Sequence, residues 1–489
     1  MNFKLRSLVA ATLAGSMMMG FGTSAMADST DDILNALIAK GVLTEEEGAL
    51  LQKGRTGEKE AAAKKKDSAI TASFKDGIKW ESGDKANSMS INGRIQLDTR
   101  SNNINGGTTA NDKIADTFEV RRAYLGAKGT FAKYYDFEVT ADFAQAGTSA
   151  PTSAAPYTPL DVAYMNFHWW DQAQFQFGQF KMPFSLEERT SSRFIDFQER
   201  SFVNNGSLTP GKERGAMLHG TPVAGLNYAI AFSTGQGKNT NETTQLEDGK
   251  DIILHADANL AEFMGNKNAV VHLGASYANG DLTPAAISTQ RTEGRGLEFF
   301  KTTAATGTTM ERTRYGLESV LAYGPVKFQG EYSEAKFEGT NASSVSYNKS
   351  LDAYYVEALW LITGENYADA YKKGKFDRIK PTNDFNPSGK GGLGAIEFGV
   401  RYSKFDATDF ATVANGATAN TPVMTAASAT ATLTNKADAY TVGLKWLPTA
   451  NSRILLTYVK TNFDTPVLAA TGETVNNEKV LMMRTQYDF

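Results

Sequence analysis

The chain reads as an all-β transmembrane antiparallel β-barrel of about sixteen strands, with a short helical segment at its amino end. Three observations predict it. A hydrophobic period of two recurs from about Ser88 to the last residue. The connections between these alternating runs are short turns and long polar loops by turns. The final run stops at the carboxyl terminus on Phe489, with Leu481, Met483, Tyr487 and Phe489 on one face and Met482, Arg484 and Gln486 on the other. Bacterial outer-membrane barrels close on a strand of this kind.

The amino end sets the compartment. Lys4 and Arg6 precede a short apolar run from Leu8 to Phe21, and Ala25-Met26-Ala27 is a small-x-small cleavage site. Residues 1–27 therefore read as a secretory signal peptide. The run falls short of the ~20 apolar residues that a spanning helix needs, which argues against an anchor. No cysteine is present, which excludes disulfides, thiolate catalysis and cysteine metal sites. The formal net charge is −4, and loss of Lys4 and Arg6 with the leader would take it to near −6. Neither value suits a nucleic-acid partner. The 41% hydrophobic content fits strands that are apolar on one face and polar on the other.

Residues 28–66 have a different pattern. Ile33, Leu34, Leu37 and Ile38 have helical spacing, Gly41 suits a helix C-cap, and Thr44 with Glu47 forms a capping box before a second short helix. Lys59 to Lys66 is charged and alanine-rich. The segment is expected to be helical, coiled-coil-like and periplasmic, either self-associating or a plain tether. Residues 67–87 are expected to be a linker, and residues 88–489 the barrel.

Within the barrel, Tyr135, Phe137, Val139, Ala141 and Phe143 alternate with Tyr134, Asp136, Glu138, Thr140 and Asp142. Similar runs predict strands near 88–101, 117–132, 134–145, 161–170, 173–183, 213–222, 225–237, 251–261, 269–280, 311–324, 326–339, 350–363, 394–406, 437–449, 452–464 and 478–489. Each has about the 9–11 residues of a tilted spanning strand, or more. Short turns fall at Ala132-Lys133, Trp170 to Gln172, Pro222 to Ala224, Gly324-Pro325 and Pro448 to Asn451, with Gly-, Ser-, Thr- and Asn-rich loops between. An even count puts both termini on the periplasmic, short-turn side. Trp169, Trp170, Tyr323, Tyr332, Trp360 and Trp446 lie near strand ends, as interfacial aromatic residues do. One connection breaks the pattern: residues 364–393 should be a short turn but carry Lys372, Lys373, Lys375, Arg378 and Lys380 over a long stretch. Either the count is off by a hairpin or this is a periplasmic excursion. A soluble β-sandwich, the competing fold, would use shorter strands.

A polar-lined barrel of this size leaves a water-filled channel, whose behaviour depends on what narrows it. The loop from Pro183 to Arg214 contains Phe184, Phe194, Ile195, Phe197 and Phe202, too apolar for free solvation, so residues 184–212 are expected to fold inward as a constriction. Lys181, Arg189, Arg193, Arg200, Lys212 and Arg214 stand against Glu187, Glu188, Asp196, Glu199 and Glu213. Cationic side chains lining a pore select anions, and the arginine fork matches an oxyanion. The alternative is that these arginines pair with the loop's own acids and hold it folded. On the predicted lumen faces, Arg94, Arg100, Arg122, Lys128, Arg314, Lys327, Arg401, Lys445 and Arg484 oppose Asp98, Asp136, Glu138, Asp142, Asp257, Glu318, Glu331, Glu357 and Glu397. That lining is balanced, so its sum gives no direction of selectivity.

Several motifs in order carry a resemblance. Gly178-QFKMPFSLE-Glu188, Thr190-SSRFIDFQERS, Ile91-NGRIQLD, Val120-RRAYLGAKGTFAKYYDFEV, Leu361-ITGEN, Gly394-AIEFGVRYS and Arg484-TQYDF resemble stretches of the phosphate-selective porin O/P family. The resemblance runs from about residue 88 to the end. It implies an outer-membrane porin, a homotrimer of sixteen-stranded barrels with the third loop folded in, and in some members selection of phosphate or polyphosphate by an arginine ladder and central lysines. Arg189, Arg193 and Arg200 of the loop and Arg122 of the Arg121-Arg122 pair carry over as candidates; the central lysines do not align. It also implies that Phe489 is read by the barrel-assembly machinery.

The expected function is passive diffusion of small anions through a lipid-embedded pore, with Lys181, Arg189, Arg193, Arg200, Arg214, Arg122, Lys128, Arg94, Arg401 and Arg484 on the anion path. A weakly selective or cation-preferring porin for small organic solutes is the alternative. No cofactor motif, Walker loop or GxSxG elbow occurs. His168, His219, His255 and His272 lack short metal-ligand spacing. His255 shares a strand face with Asp257, with His272 on the next strand, which reads as a lumen-facing polar cluster. A barrel lipase would need a nucleophile beside His168, and a structural or adhesive protein would not conduct.

Overall fold

The computed structural model describes residues 29–53, 70–74, 77–104, 116–144, 160–204, 206–235, 237–239, 250–282, 287–302, 310–340, 346–389, 391–410, 433–468 and 474–489. The expected signal peptide lies outside them. Two compact units are present, one helical and one barrel.

In the helical unit, α1 spans Ser29–Ala39, and Gly41 follows it with φ 68° in the left-handed region that a helix C-cap uses. A second helix covers residues 45–53. The Thr44 N–H donates to the Glu47 carboxylate at 3.0 Å, and the Glu47 N–H donates to Thr44 Oγ1 at 3.2 Å. This is the reciprocal capping box, which satisfies two amide donors that helix geometry leaves open.

The barrel strands are β1 (Ser88–Ile104), β2 (Thr117–Phe131), β3 (Tyr135–Asp142), β4 (Leu160–Trp170), β5 (Ala173–Lys181), β6 (Lys212–Val223), β7 (Leu226–Ser233), β8 (Asp251–Asn259), β9 (Ala269–Leu282), β10 (Met310–Tyr323), β11 (Val326–Thr340), β12 (Ser346–Leu361), β13 (Ala395–Asp406), β14 (Lys436–Thr449), β15 (Ser452–Leu468) and β16 (Thr474–Asp488). Each pairs antiparallel with its sequence neighbour, and β16 pairs with β1 over Asp488↔Arg94 to Glu478↔Ile104, so the sheet closes. Closure removes both sheet edges, which a bilayer would leave without hydrogen-bond partners. All sixteen predicted strands are present, with ends shifted by a few residues.

The period of two sorts side chains as predicted. On β16, Leu481, Met483 and Tyr487 are exposed on the outer face, while Met482, Arg484 and Gln486 are buried inside. The Phe489 N–H donates to the Gly93 carbonyl at 3.1 Å and its carbonyl accepts from Gly93 N–H at 2.9 Å, extending the closing seam to the last residue. Trp169, Trp170, Tyr323 and Trp360 are exposed on the outer surface. The tight turn between β2 and β3 puts Ala132 at φ 46° and Lys133 at φ 68°, both in the left-handed region. That turn twists with the strands it joins, which offsets the cost of using two side-chain-bearing residues there.

The expected linker is corrected in part. Residues Ile78–Ser82 form a strand, with Ile78, Lys79, Trp80 and Glu81 paired to Ile91, Ser90, Met89 and Ser88 of β1. Its alternation over few residues was too short to stand out as a strand by itself.

Candidate functional site

Two inserts enter the barrel from opposite ends and meet. The first is residues 182–211, between β5 and β6. Its apolar residues are buried as the sequence predicts: Phe184, Ile195, Phe197 and Phe202 are all nearly inaccessible to solvent. Phe180, Met182 and Phe184 pack on Ala231, Ile253 and Ala278, and Phe202, Val203 and Leu208 join Phe299 and Phe300 of the 287–302 loop in a larger cluster. Phe194, half-buried, lies between the Arg378 and Arg453 guanidinium groups, 5.4 and 5.5 Å from its ring centre.

Carboxylates then latch this loop across the lumen. A short helix, Leu186–Arg189, is capped by Ser185, whose Oγ accepts from Glu188 N–H. The wall carboxylate of Glu331 accepts the Leu186 and Glu187 N–H groups at 2.9 and 2.7 Å. Glu187 pairs with Arg401 at 3.3 Å, Asp196 with Lys327 at 2.8 Å, and Glu199 with Arg484 and Arg121, each at 3.0 Å. Arg189 pairs with Asp257 at 3.2 Å and with Glu318. Burial alone would raise the Glu188 carboxyl, but Arg200 and Lys181 outweigh it and hold it at about 2. Burial opposes the Glu199 charge too, and Arg121, Arg484 and Arg295 hold its carboxyl well below the ordinary range.

The second insert is residues 362–394, between β12 and β13. The strand count is right; the part from Tyr367 to Phe376 turns into the lumen, while residues 382–389 stay exposed beside the short turn at Pro448. A short helix, Tyr367–Ala370, leads into a hairpin pairing Tyr371–Lys372 with Lys375–Phe376. Tyr367, Ala370 and Phe376 are buried with Leu186 of the first insert against Val270, Val320, Leu359 and Leu361. These aromatic residues need a dry surface, and the lumen supplies one. At the hairpin tip Gly374 has φ 76° and lies against Asp257: a Cβ there would sit 2.4 Å from its carboxylate. The neighbouring Lys375 keeps a solvent-accessible side chain, although its position inside the barrel surrounds it with protein.

The predicted cations fall into two groups. Arg189, Arg200, Arg401 and Arg484 are held in ion pairs; Arg200, at 3.4 Å, and Lys181, at 3.6 Å, pair with Glu188 of the same insert, while Arg189 pairs with the wall and Arg401 and Arg484 reach the insert from the wall. Lys181 Nζ also donates to the Glu188 and Thr190 carbonyls. Arg94, Arg122, Arg193 and Lys128 make no ion pair among the described residues. Arg94 donates to Ser192 Oγ at 3.1 Å and covers the Tyr124 ring at 4.3 Å. Arg122 donates to Gln96 at 2.8 Å, and Arg193 to Asn92 at 3.1 Å. Arg122, Arg193 and Arg484 all lie close enough to Arg94 for their charges to act on it. Arg214 is corrected: it alternates with the inward Glu213 and shares the outer face with Leu218, Ile230 and Phe232.

A family model described as phosphate-selective porin O and P matches residues 89–489. The chain belongs to that family. It is 25% identical to Porin O of Pseudomonas aeruginosa over 419 residues, covering 81% of this chain and 87% of that protein. Among solved structures it is similar to the anion-selective porin from Comamonas acidovorans, with 12% identity, 82% of this chain and 100% of that one covered, and a TM-score of 0.49. The trimer form of OmpT from Vibrio cholerae matches with 10% identity, 83% and 100% coverage, and a TM-score of 0.47.

This porin is therefore an outer-membrane channel, and its lining includes residues that the sequence did not assign to the anion path. In β2 the register slips between Gln96↔Arg122 and Leu97↔Val120, leaving Arg121 as an extra residue. That bulge turns both Arg121 and Arg122 inward, where strict alternation would send one outward. Lys375 is legible as part of a basic run, for which the sequence offers a miscounted hairpin or a periplasmic excursion and no inward fold. Arg453, buried on β15, sits in an alternating strand like the others and could have been placed by parity.

Proposed function

We propose that this porin passes small anions of the phosphate class along the β1–β2 side of the lumen, through a constriction formed by residues 182–211 and 362–394. The observation that carries the reading is the sorting of charge. The wall carboxylates of Asp257, Glu318 and Glu331 are engaged in latching the first insert, while Arg94, Arg122 and Arg193 make no ion pair among the described residues. Burial is the main cause of a lowered pKa at Arg193; Arg378 adds to it, and Asp488 and Glu138 oppose it. A passing oxyanion offers this guanidinium two parallel hydrogen bonds. Binding must remain weak for the ion to leave.

A second reading, a weakly selective pore for small organic solutes, is favoured by Asp136 and Glu138 on the same side. They hold His168 at 2.6 Å and Tyr164 at 3.0 Å without an arginine or lysine partner among the described residues. Planar-bilayer reversal potentials under a salt gradient separate the two. The parent protein is expected to favour anions, with phosphate blocking chloride current. Arg193→Ala should weaken that block about tenfold or more, since a charge-assisted hydrogen bond is worth about 1.5–3 kcal/mol. A cation-favouring potential in the parent would overturn the proposal. The same reading takes the assembly to be a homotrimer embedded in outer-membrane lipid, with Phe489 as the segment that the barrel-assembly machinery reads. It also takes the protein to be a channel and not a catalyst.

A further inference from the structure

We infer that His255, His272, Asp257 and Glu318 form a transition-metal site in the lumen wall, one that the Arg189 guanidinium fills when no metal is bound. Only four histidines occur in the chain, and two converge here. His255 Nε2 lies 2.9 Å from Asp257 Oδ2 and 3.7 Å from Glu318 Oε1. His272 Nε2 lies 3.0 Å from Glu318 Oε1. One atom each from His255, Asp257 and Glu318 fall within 4.8 Å of one another, and all three side chains are buried. Tetrahedral zinc with bonds of about 2.0–2.1 Å sets its ligand atoms about 3.3 Å apart, so His255, Asp257 and Glu318 are near ligand spacing, and His272, already on Glu318, completes the set by turning its Nε2 towards them.

The surroundings are those of ligands, not merely of counter-ions. Each imidazole has its Nδ1 on a hydroxyl: His255 on Ser276 Oγ at 2.9 Å and His272 on Tyr371 Oη at 2.7 Å. Without a metal, Nε2–H donates to the carboxylate and Nδ1 accepts from the hydroxyl; a hydroxyl can equally accept Nδ1–H, so each imidazole can turn its Nε2 lone pair to a metal and keep its hydroxyl partner, as metal-bound histidines do. The sheet is shaped for the convergence. Asp257, Gly274 and Glu318 lie directly across β8, β9 and β10 from one another. Gly274 leaves the space in which Glu318 leans over β9, because a Cβ there would lie 2.5 Å from Glu318 Oε1.

Arg189 accounts for the two carboxylates but not for the two imidazoles, and its own Nε is buried without a partner. Imidazole nitrogen with carboxylate oxygen suits zinc and its neighbours and is poor for magnesium. Binding expels the guanidinium, adds positive charge to the lumen and loosens the latch between the two inserts, since Tyr371 and Gly374 belong to the second.

The test uses the full-length folded protein in detergent and in bilayers, with zinc ion as the probe. One saturable zinc site per chain is expected, not competed by a hundredfold excess of magnesium, together with a shift of the reversal potential towards anions. His255→Gln with His272→Gln should weaken binding at least tenfold. Arg189→Gln keeps all four ligands and removes the competitor, so it should bind zinc about tenfold more tightly, a gain that misfolding cannot mimic. His168→Gln controls for the other histidine–carboxylate pair and should change nothing. Absence of saturable binding, equal binding by the double histidine variant, or unchanged affinity in Arg189→Gln would each overturn the proposal.

Discussion

The two sides of the lumen use the same side chain for opposite ends. Around β10 to β16, arginine and lysine are clamps: Arg401 joins Glu187 to Glu293, Lys445 holds Glu397, and Arg484 grips Asp98 through both oxygens at 2.7 Å. Along β1 and β2 the use is mixed: Arg100 pairs with Glu119 and Arg121 with Glu199, while Arg94 and Arg122 have only neutral hydrogen-bond partners. A charge paired at contact distance contributes little field beyond its own dipole, whereas an unpaired one in a narrow, low-dielectric cleft acts at a distance. Nine cations and nine acids on the lining are therefore compatible with a locally positive path, because Asp98, Asp257, Glu318 and Glu397 are each held by a cation.

Removing a clamp should break this contrast most. Arg401→Ala leaves Glu187 and Glu293 buried together without their cation, and losing one partner of such a pair costs about 3–5 kcal/mol. Both the 182–211 and 287–302 loops lose an anchor. Thermal unfolding followed by circular dichroism should begin earlier, and single-channel current should become larger and noisier. Arg94→Ala is the matched substitution on the other side. It removes a buried cation that had no acid, so stability should change by no more than about 1 kcal/mol while anion preference falls. Equal loss of stability in the two variants would mean that the sides do not differ.

Asp98→Asn sharpens the contrast instead of erasing it. The amide retains a hydrogen-bond acceptor for Arg484 but no charge, and Arg484 keeps Glu199 and the Gln198 carbonyl. A clamp is thereby converted into a partly free cation beside β1. Phosphate block of chloride current should tighten about fivefold, equivalent to about 1 kcal/mol, with a smaller stability loss than for Arg401→Ala. Unchanged block would place Arg484 off the path.

The barrel was legible because one rule, the period of two, repeats in every strand and errors in one do not spread. The inward loop was legible because Phe184, Phe197 and Phe202 had no other dry surface to occupy. Partner choice was not. Whether Arg189 faces an oxyanion or Asp257 depends on residues of different strands, far apart in sequence, and no local pattern encodes it. Arg121 was hidden by a bulge, which breaks the alternation that placed its neighbours. The second insert was hidden by composition: Lys372, Lys373 and Lys375 suggest water, and the lumen is wet enough to satisfy that as well as the periplasm does. Tyr367 and Phe376 in the same stretch carried the opposite signal, through the argument already applied to the first loop.

Lys375 supplies the smallest and most specific test. Its ammonium is crowded by the surrounding protein, which is the main cause of its lowered pKa; Arg189 adds to the effect, and Asp377 and Glu138 oppose it. It therefore releases its proton below the ordinary lysine value of 10.5, while the arginines around it stay charged. The sign follows directly: raising pH removes one positive charge from the path, so anion preference should decline as alkaline solution is approached and recover on return to neutral pH. Lys375→Arg keeps the charge across that range and should flatten the profile, with reversal potential at neutral pH nearly unchanged. A decline that persists in Lys375→Arg would assign the titration to another group and leave the second insert a structural plug, with selectivity confined to the β1–β2 wall.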